Sequence, residues 1–234
     1  MDLIYDSARV AISHKPGNTG SAVLSFAGVG LGSDGVPQEE FVKTLAGNQH
    51  DQFFIIDKLR SWYNETAVEI LEQLVPRLEL YDGAYTLGNS MGGFGAIYFG
   101  RHIPKCRVAV AFGPQYSVHP EIVPNETRWR HWRQRIKDWP IPHALHGDGH
   151  VRRACVFFGR IGRDRAHARL FLDNRPPGMS LFLIHGTAHH TASLLKQHGC
   201  LDAVLDAICV QNQTALGVAD VLKKHDIKVL RRGR

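Results

Sequence analysis

The chain has 234 residues, 44% hydrophobic and 21% charged, with a formal net charge of +6. That is enough apolar material for one sizeable core, and it excludes a disordered or low-complexity chain. No apolar run approaches membrane-spanning length, and the start, Met1-Asp2-Leu3-Ile4-Tyr5-Asp6, lacks the basic and apolar regions of a signal peptide, so a soluble, cytoplasmic protein is expected.

In chain order, residues 3–5 and 9–13 are weak strand candidates that suit an N-terminal antiparallel ribbon. Residues 22–26 form a strong strand candidate. A helix is expected from Pro37, with Glu39 and Glu40 in its first turn and Gly47 at its end. A strand at 53–56 follows. A helix then runs from about Glu65 to about Pro76, with Asn64 as its N-cap and Ala67, Ile70, Leu71 and Leu74 as its apolar stripe. Short apolar runs at 85–87, 108–112, 155–158 and 181–184 read as strands buried on both faces. Helices are expected after Ser90 and over 164–172, 192–197, 201–210 and 214–225. This alternation predicts a single α/β domain over 1–234 with a mostly parallel central sheet flanked by helices. Between 113 and 150 the pattern lapses into a proline-rich stretch too short for a core of its own, so it reads as a lid-like insertion above the sheet. The basic C-terminal cluster, Lys223, Lys224, Lys228, Arg231, Arg232 and Arg234, reads as a solvated, frayed end.

The most informative stretch is Gly88-Asn89-Ser90-Met91-Gly92, a G-x-S-x-G sequence between the 85–87 strand and a helix. On such a strand-to-helix turn a serine hydroxyl stands above the sheet. The glycines leave room for the tight backbone, and the helix N-terminus supplies free N–H groups for a developing oxyanion. Ser90 is therefore the candidate nucleophile.

At these residues the chain resembles the α/β-hydrolase superfamily, over nearly its whole length from Ala22 onward. The resemblance implies the order Ser, acid, His. The acid should follow the next-to-last strand, which points to Asp164; Asp148 and Asp173 also keep the order. The histidine should follow the last strand, in His185-Gly186-Thr187-Ala188-His189-His190. His189, nearer the loop apex, is preferred with His190 as the alternate, and His185 is expected to end the strand as a packed core residue. The oxyanion hole should use backbone N–H groups of Met91 and of the glycine loop Phe26-Ala27-Gly28-Val29-Gly30-Leu31-Gly32, with Val29 first and Gly28 next. Members of the superfamily often carry His-Gly where this chain has Ala27-Gly28.

The activity so implied is that of a serine hydrolase acting on a small-molecule carboxylic ester or thioester through an acyl-enzyme, with no metal or organic cofactor. The alternatives are an acyltransferase with the same three residues, and a non-catalytic protein of this fold that binds an anionic partner. Trp62 and Tyr63 are candidate pocket-lining residues, with helix-entry packing as an equal reading. In Arg128-Trp129-Arg130-His131-Trp132-Arg133-Gln134-Arg135-Ile136-Lys137, Trp129, Trp132 and Ile136 would share one helical face that closes over the pocket. An anionic ligand at this segment ranks second, and nucleic acid a distant third. The run His143-Ala144-Leu145-His146-Gly147-Asp148-Gly149-His150 does not have the spacing of a zinc motif and reads as a polar loop. The four cysteines, Cys106, Cys155, Cys200 and Cys209, form no C-x-x-C pair and read as reduced thiols. The oligomeric state is left open.

Overall fold

The computed structural model describes residues 1–30 and 36–232. Leu31 and Gly32 of the glycine loop, and Arg234 of the basic tail, lie outside the described residues.

The strands are β1 (Asp2–Asp6), β2 (Val10–Lys15), β3 (Ser21–Phe26), β4 (Asp51–Asp57), β5 (Gly83–Asn89), β6 (Cys106–Phe112), β7 (Arg153–Gly159), β8 (Met179–Ile184) and β9 (Val229–Arg232). They form one sheet in the order β1-β2-β4-β3-β5-β6-β7-β8-β9. The six central strands from β4 to β8 are parallel, while β1 and β2 at one edge and β9 at the other run antiparallel to their neighbours. The helices are α1 (Ala67–Leu78), α2 (Met91–His102), α3 (Arg130–Arg133), α4 (Asp164–Asp173), α5 (Thr191–Gln197), α6 (Leu201–Cys209) and α7 (Ala215–Lys224).

Period-two alternation assigns the two faces of the sheet. Ala22, Leu24 and Phe26 of β3, Val156 and Phe158 of β7, and Leu181 of β8 join the core under α1, α2 and α4. Val23, Cys155, Phe157 and Phe182 point the other way, into the core under α5, α6 and α7. Both faces are covered, which is why the strands read as continuous apolar runs. Glycines let α2 approach the sheet closely: a Cβ on Gly92 would collide with the Phe26 carbonyl, and one on Gly88 with the Gly92 carbonyl. Among the described residues, no helix is long and apolar enough to cross a membrane.

Several elements depart from the sequence reading. The 37–47 stretch is turns rather than a helix, because Phe41 takes a left-handed backbone (φ 64°) and packs its ring on Phe112. The carbonyls of Leu45 and Asn48 are instead satisfied by the buried Gln52 amide. Helix α1 runs two residues past Pro76; burial of Leu74 and Leu78 carries it through, against the hydrogen bond that proline cannot donate. Its N-cap position is Thr66, while Asn64 is spent on tertiary contacts, donating to the Ser61 carbonyl and accepting from the Ile141 N–H. The C-terminal segment is not frayed: Val229–Arg232 adds β9 to the open edge of β8. His185 is exposed, against the Arg160 guanidinium, and not a packed core residue. Cys155, Cys200 and Cys209 are buried thiols and Cys106 is partly buried.

Candidate active site

Ser90 sits between β5 and α2 with φ 56° and ψ −120°, a conformation that L-residues rarely adopt and that costs on the order of 1–3 kcal/mol. Its backbone is pinned on both sides. The Ser90 N–H donates to the Phe112 carbonyl (2.9 Å), and the Ser90 carbonyl accepts from the Phe94 N–H (3.1 Å). The side chain is thereby raised above the C-terminal ends of the strands. Met91 is the first residue of α2, where the backbone N–H has no intrahelical acceptor.

His189 lies in the loop between β8 and α5. Its Nε2 is 3.0 Å from Ser90 Oγ and its Nδ1 is 2.7 Å from Asp164 Oδ2. Asp164 opens α4, just after β7, and its side chain is 1% exposed. Burial alone would raise its pKa. The hydrogen bond and charge of His189, together with those of Arg128, outweigh burial, so the carboxyl is held below its ordinary range. Gly113 directly follows β6 with φ +51°, and a Cβ there would lie 3.1–3.4 Å from His189 and from Asp164 Oδ2. The backbone thus passes close beneath the pair. His190 is exposed, as is Asp148; Asp173 is ion-paired with Arg169.

The loop after β3 departs from expectation at Gly28. Its N–H donates to Glu40 Oε1 (3.0 Å) and is not free for a ligand. Burial pushes the Glu40 carboxyl up to about 7, against that hydrogen bond. Val29 is partly buried, and its carbonyl accepts from Arg60 Nε (2.8 Å).

Trp62 and Tyr63 are both fully buried and do not line an open pocket. Tyr63 packs on Phe26, Phe99 and Gly95, and its hydroxyl donates to the Ala27 carbonyl (2.8 Å). Tyr63 thus packs at the entry to α1. Asp57 organises this turn: its carboxylate accepts from the N–H groups of Leu59, Ser61 and Tyr63 and from the Ser61 hydroxyl. Four donors on one buried carboxylate hold Arg60, Trp62 and Tyr63 at positive φ.

The basic, tryptophan-rich segment is helical only at Arg130–Arg133, because Trp129 takes a left-handed backbone (φ 57°). Trp129, Trp132 and Ile136 therefore do not share one helical face. Trp129 lies beside His189, with ring centroids 5.7 Å apart, and beside Trp62 at 5.8 Å. Trp132 is contacted by two guanidiniums, Arg60 at 4.1 Å and Arg135 at 4.9 Å from its ring centroid. The 113–150 segment is tied to the main core through buried Tyr116, Ile136, Ile141 and Ala144. Ser90 is 6% exposed beneath it. A cleft of about 1260 Å³ lies beside α4, lined by Glu126, Arg163, His167 and Leu183 among others, and Ser90 does not line it. Among the described residues, no group of three or more His, Cys, Asp or Glu is arranged to hold a metal ion.

No protein-family model and no curated protein matches the chain. Solved structures do. A 2,6-dihydroxy-pseudo-oxynicotine hydrolase is similar at 13% identity and a TM-score of 0.60, over 91% of this chain and 68% of that one. An esterase of Pyrobaculum calidifontis is similar at 13% identity and a TM-score of 0.58, over 88% and 82%. The capsule O-acetyltransferase of Neisseria meningitidis serogroup A is similar at 13% identity and a TM-score of 0.58, over 85% and 93%. The chain has the α/β-hydrolase fold.

Within this α/β-hydrolase fold, two side chains that no local sequence signal marks touch the Ser90–His189–Asp164 chain of hydrogen bonds. Gln115, fully buried, donates from Nε2 to Ser90 Oγ (3.1 Å) and accepts at Oε1 from Trp62 Nε1–H (2.9 Å). Arg128 donates from Nη1 to Asp164 Oδ1 (2.6 Å) and from Nε and Nη2 to Glu126, whose carboxylate also contacts His167. Burial would raise the pKa of Glu126, but the contacts from His167 and Arg128 bring it well below the usual carboxylate range. Arg128 spends its hydrogen bonds inside the protein, on Asp164 and Glu126, and not on an anionic ligand.

Proposed function

We propose that this protein is a serine hydrolase that cleaves a small-molecule carboxylic ester or thioester through an acyl-enzyme. The observation that carries this reading is His189 set between Ser90 Oγ and Asp164 Oδ2 at 3.0 and 2.7 Å. In this mechanism His189 Nε2 takes the Ser90 proton as Oγ attacks the carbonyl carbon. The C=O electron pair moves to oxygen and is held by the N–H groups of Met91 and Val29. The intermediate collapses, and His189 returns the proton to the leaving group. Water then repeats the sequence on the acyl-enzyme. Asp164 keeps the His189 Nδ1–H oriented and stabilises the imidazolium. No metal or organic cofactor enters any step. The 113–150 segment acts as the lid, with Trp129 as its contact to the substrate next to His189, and Trp132, on the same segment, held by the Arg60 and Arg135 guanidiniums.

A steady-state assay with p-nitrophenyl acetate and p-nitrophenyl thioacetate, wild type beside Ser90→Ala, tests this reading. Turnover that vanishes in the variant is expected; equal rates in both would refute it.

The O-acetyltransferase among the structural neighbours supports a second reading, in which an alcohol or sugar hydroxyl replaces water as the acceptor. Adding alcohol and sugar acceptors to the same assay separates the two. A hydrolase releases free acetate in their presence, whereas an acyltransferase forms the acetylated acceptor in preference.

A further inference from the structure

We infer that Gln115 is a catalytic residue of this site: its carboxamide donates a hydrogen bond to the Ser90 oxygen and stabilises the charge that oxygen carries in both half-reactions. The inference rests on the Ser90 reading above and adds to it a side-chain donor aimed at the nucleophile itself.

The orientation of the amide is chemically forced. The Trp62 indole N–H is a donor with no acceptor capacity, so the Gln115 atom 2.9 Å from it must be the oxygen. The nitrogen is then the atom 3.1 Å from Ser90 Oγ. Trp62 and Gln115 are both fully buried, so neither bond competes with bulk water. Trp62 is in turn fixed by its left-handed backbone (φ 50°) in the turn that Asp57 ties together. The line from Asp57 through Trp62 and Gln115 to Ser90 is built from three different stretches of chain.

A serine oxygen has one proton and two lone pairs. The proton faces His189 Nε2, and one lone pair accepts from Gln115, which leaves the other lone pair to attack. As the proton passes to His189, negative charge grows on Oγ, and the bond from Gln115 becomes charge-assisted. Oγ then forms its bond to the carbonyl carbon, and the leaving group departs with the proton from His189. In deacylation the order reverses. Water adds to the acyl carbon and gives a proton to His189; the C–Oγ bond breaks with its electron pair returning to Oγ, which recovers the proton. A donor on Oγ makes it a better leaving group at that point. Backbone donors at Met91 and Val29 serve the carbonyl oxygen and not Oγ.

The experiment measures the second-order rate of fluorophosphonate labelling and kcat on p-nitrophenyl acetate across pH. The proteins are wild type, Gln115→Met, Gln115→Glu and Ser90→Ala. Methionine fills similar space without a donor. The expected loss in labelling rate and kcat is about 10- to 100-fold with KM little changed, below the loss for a full oxyanion-hole donor. Glutamate keeps the shape, donates only when protonated and repels charge on Oγ when ionised. Its rate is expected to recover toward wild type as pH falls, moving the optimum to lower pH. A purely structural role would lower the folded fraction without moving that profile. The inference is overturned if folded Gln115→Met labels and turns over within about twofold of wild type, or if Gln115→Glu keeps the wild-type pH profile. If one variant does not fold, the other decides. Ser90→Ala separates the two levels: labelling and turnover there as in wild type sink the serine reading and the inference with it. A silent Ser90→Ala beside Gln115 variants as fast as wild type sinks the inference alone.

Discussion

Arg128, in the irregular segment after β6, places its guanidinium 2.6 Å from the Asp164 oxygen that His189 does not use. One cation thus joins the segment over the site to the carboxylate beneath it, and bridges on to Glu126, whose side chain is 6% exposed. Any movement that lifts Arg128 strips Asp164 of one of its two partners.

Arg128→Ala should therefore weaken both stability and activity. It leaves the Asp164 carboxylate with His189, and Glu126 with His167 and the backbone N–H of position 128, but neither with a cation of fixed charge, and breaking such a pair costs about 3–5 kcal/mol when fully buried. Arg128 is partly exposed, so a loss nearer 2–3 kcal/mol is expected. That corresponds to a fall in Tm of roughly 4–12 °C for a chain of this size. Calorimetry and p-nitrophenyl acetate turnover check it; an unchanged Tm would show that the bridge contributes nothing.

The two adjacent histidines should behave differently. His189→Ala is expected to lose about a thousandfold or more in kcat. His190 is exposed and its substitution by alanine should leave kcat within about twofold. The reverse pattern would reassign the base.

Glu40 gives a pH signature. Its pKa is raised to about 7 in the folded protein, so the folded state favours the neutral acid. The stabilisation is complete below the ordinary carboxylate range and is lost as pH rises through about 7. Glu40→Gln keeps an acceptor for the Gly28 N–H but cannot ionise. Its Tm relative to wild type should rise between pH 5 and pH 8; a constant difference would show that Glu40 does not titrate there.

Tyr63→Phe tests what holds the loop after β3 in place. The hydroxyl bond to the Ala27 carbonyl is fully buried, and its loss should cost about 1 kcal/mol, read as a lower urea midpoint at unchanged slope. No change would mean that the carbonyl finds another donor.

The parts of the molecule with a regular period were readable from the sequence. Apolar runs such as 108–112 within β6 and 155–158 within β7 read as strands covered on both faces, and the glycines around Ser90 mark a turn that few other residues tolerate. The resemblance to the α/β-hydrolase superfamily, laid over the strand order, points to Asp164 and His189 as the partners of Ser90, and the structure brings the three within hydrogen-bond distance. The supporting residues were not readable, for a physical reason. Gln115 and Arg128 lie in a stretch with no period, and their contacts to Ser90 and Asp164 span 25 and 36 residues. Nothing local distinguishes a buried bridging arginine from a solvated one. The same limit applies to Tyr63, whose place in the core depends on Gly95 leaving space for its ring, and to β9, whose basic residues look like a tail until β8 offers an edge.

The most direct test of the account is peptide mapping by mass spectrometry after incubation of the wild-type protein with a fluorophosphonate. A single phosphonyl adduct on the peptide carrying Ser90, absent when His189 is replaced by alanine, is expected. A well-folded protein that takes up no adduct, or takes it up at another residue, would contradict it.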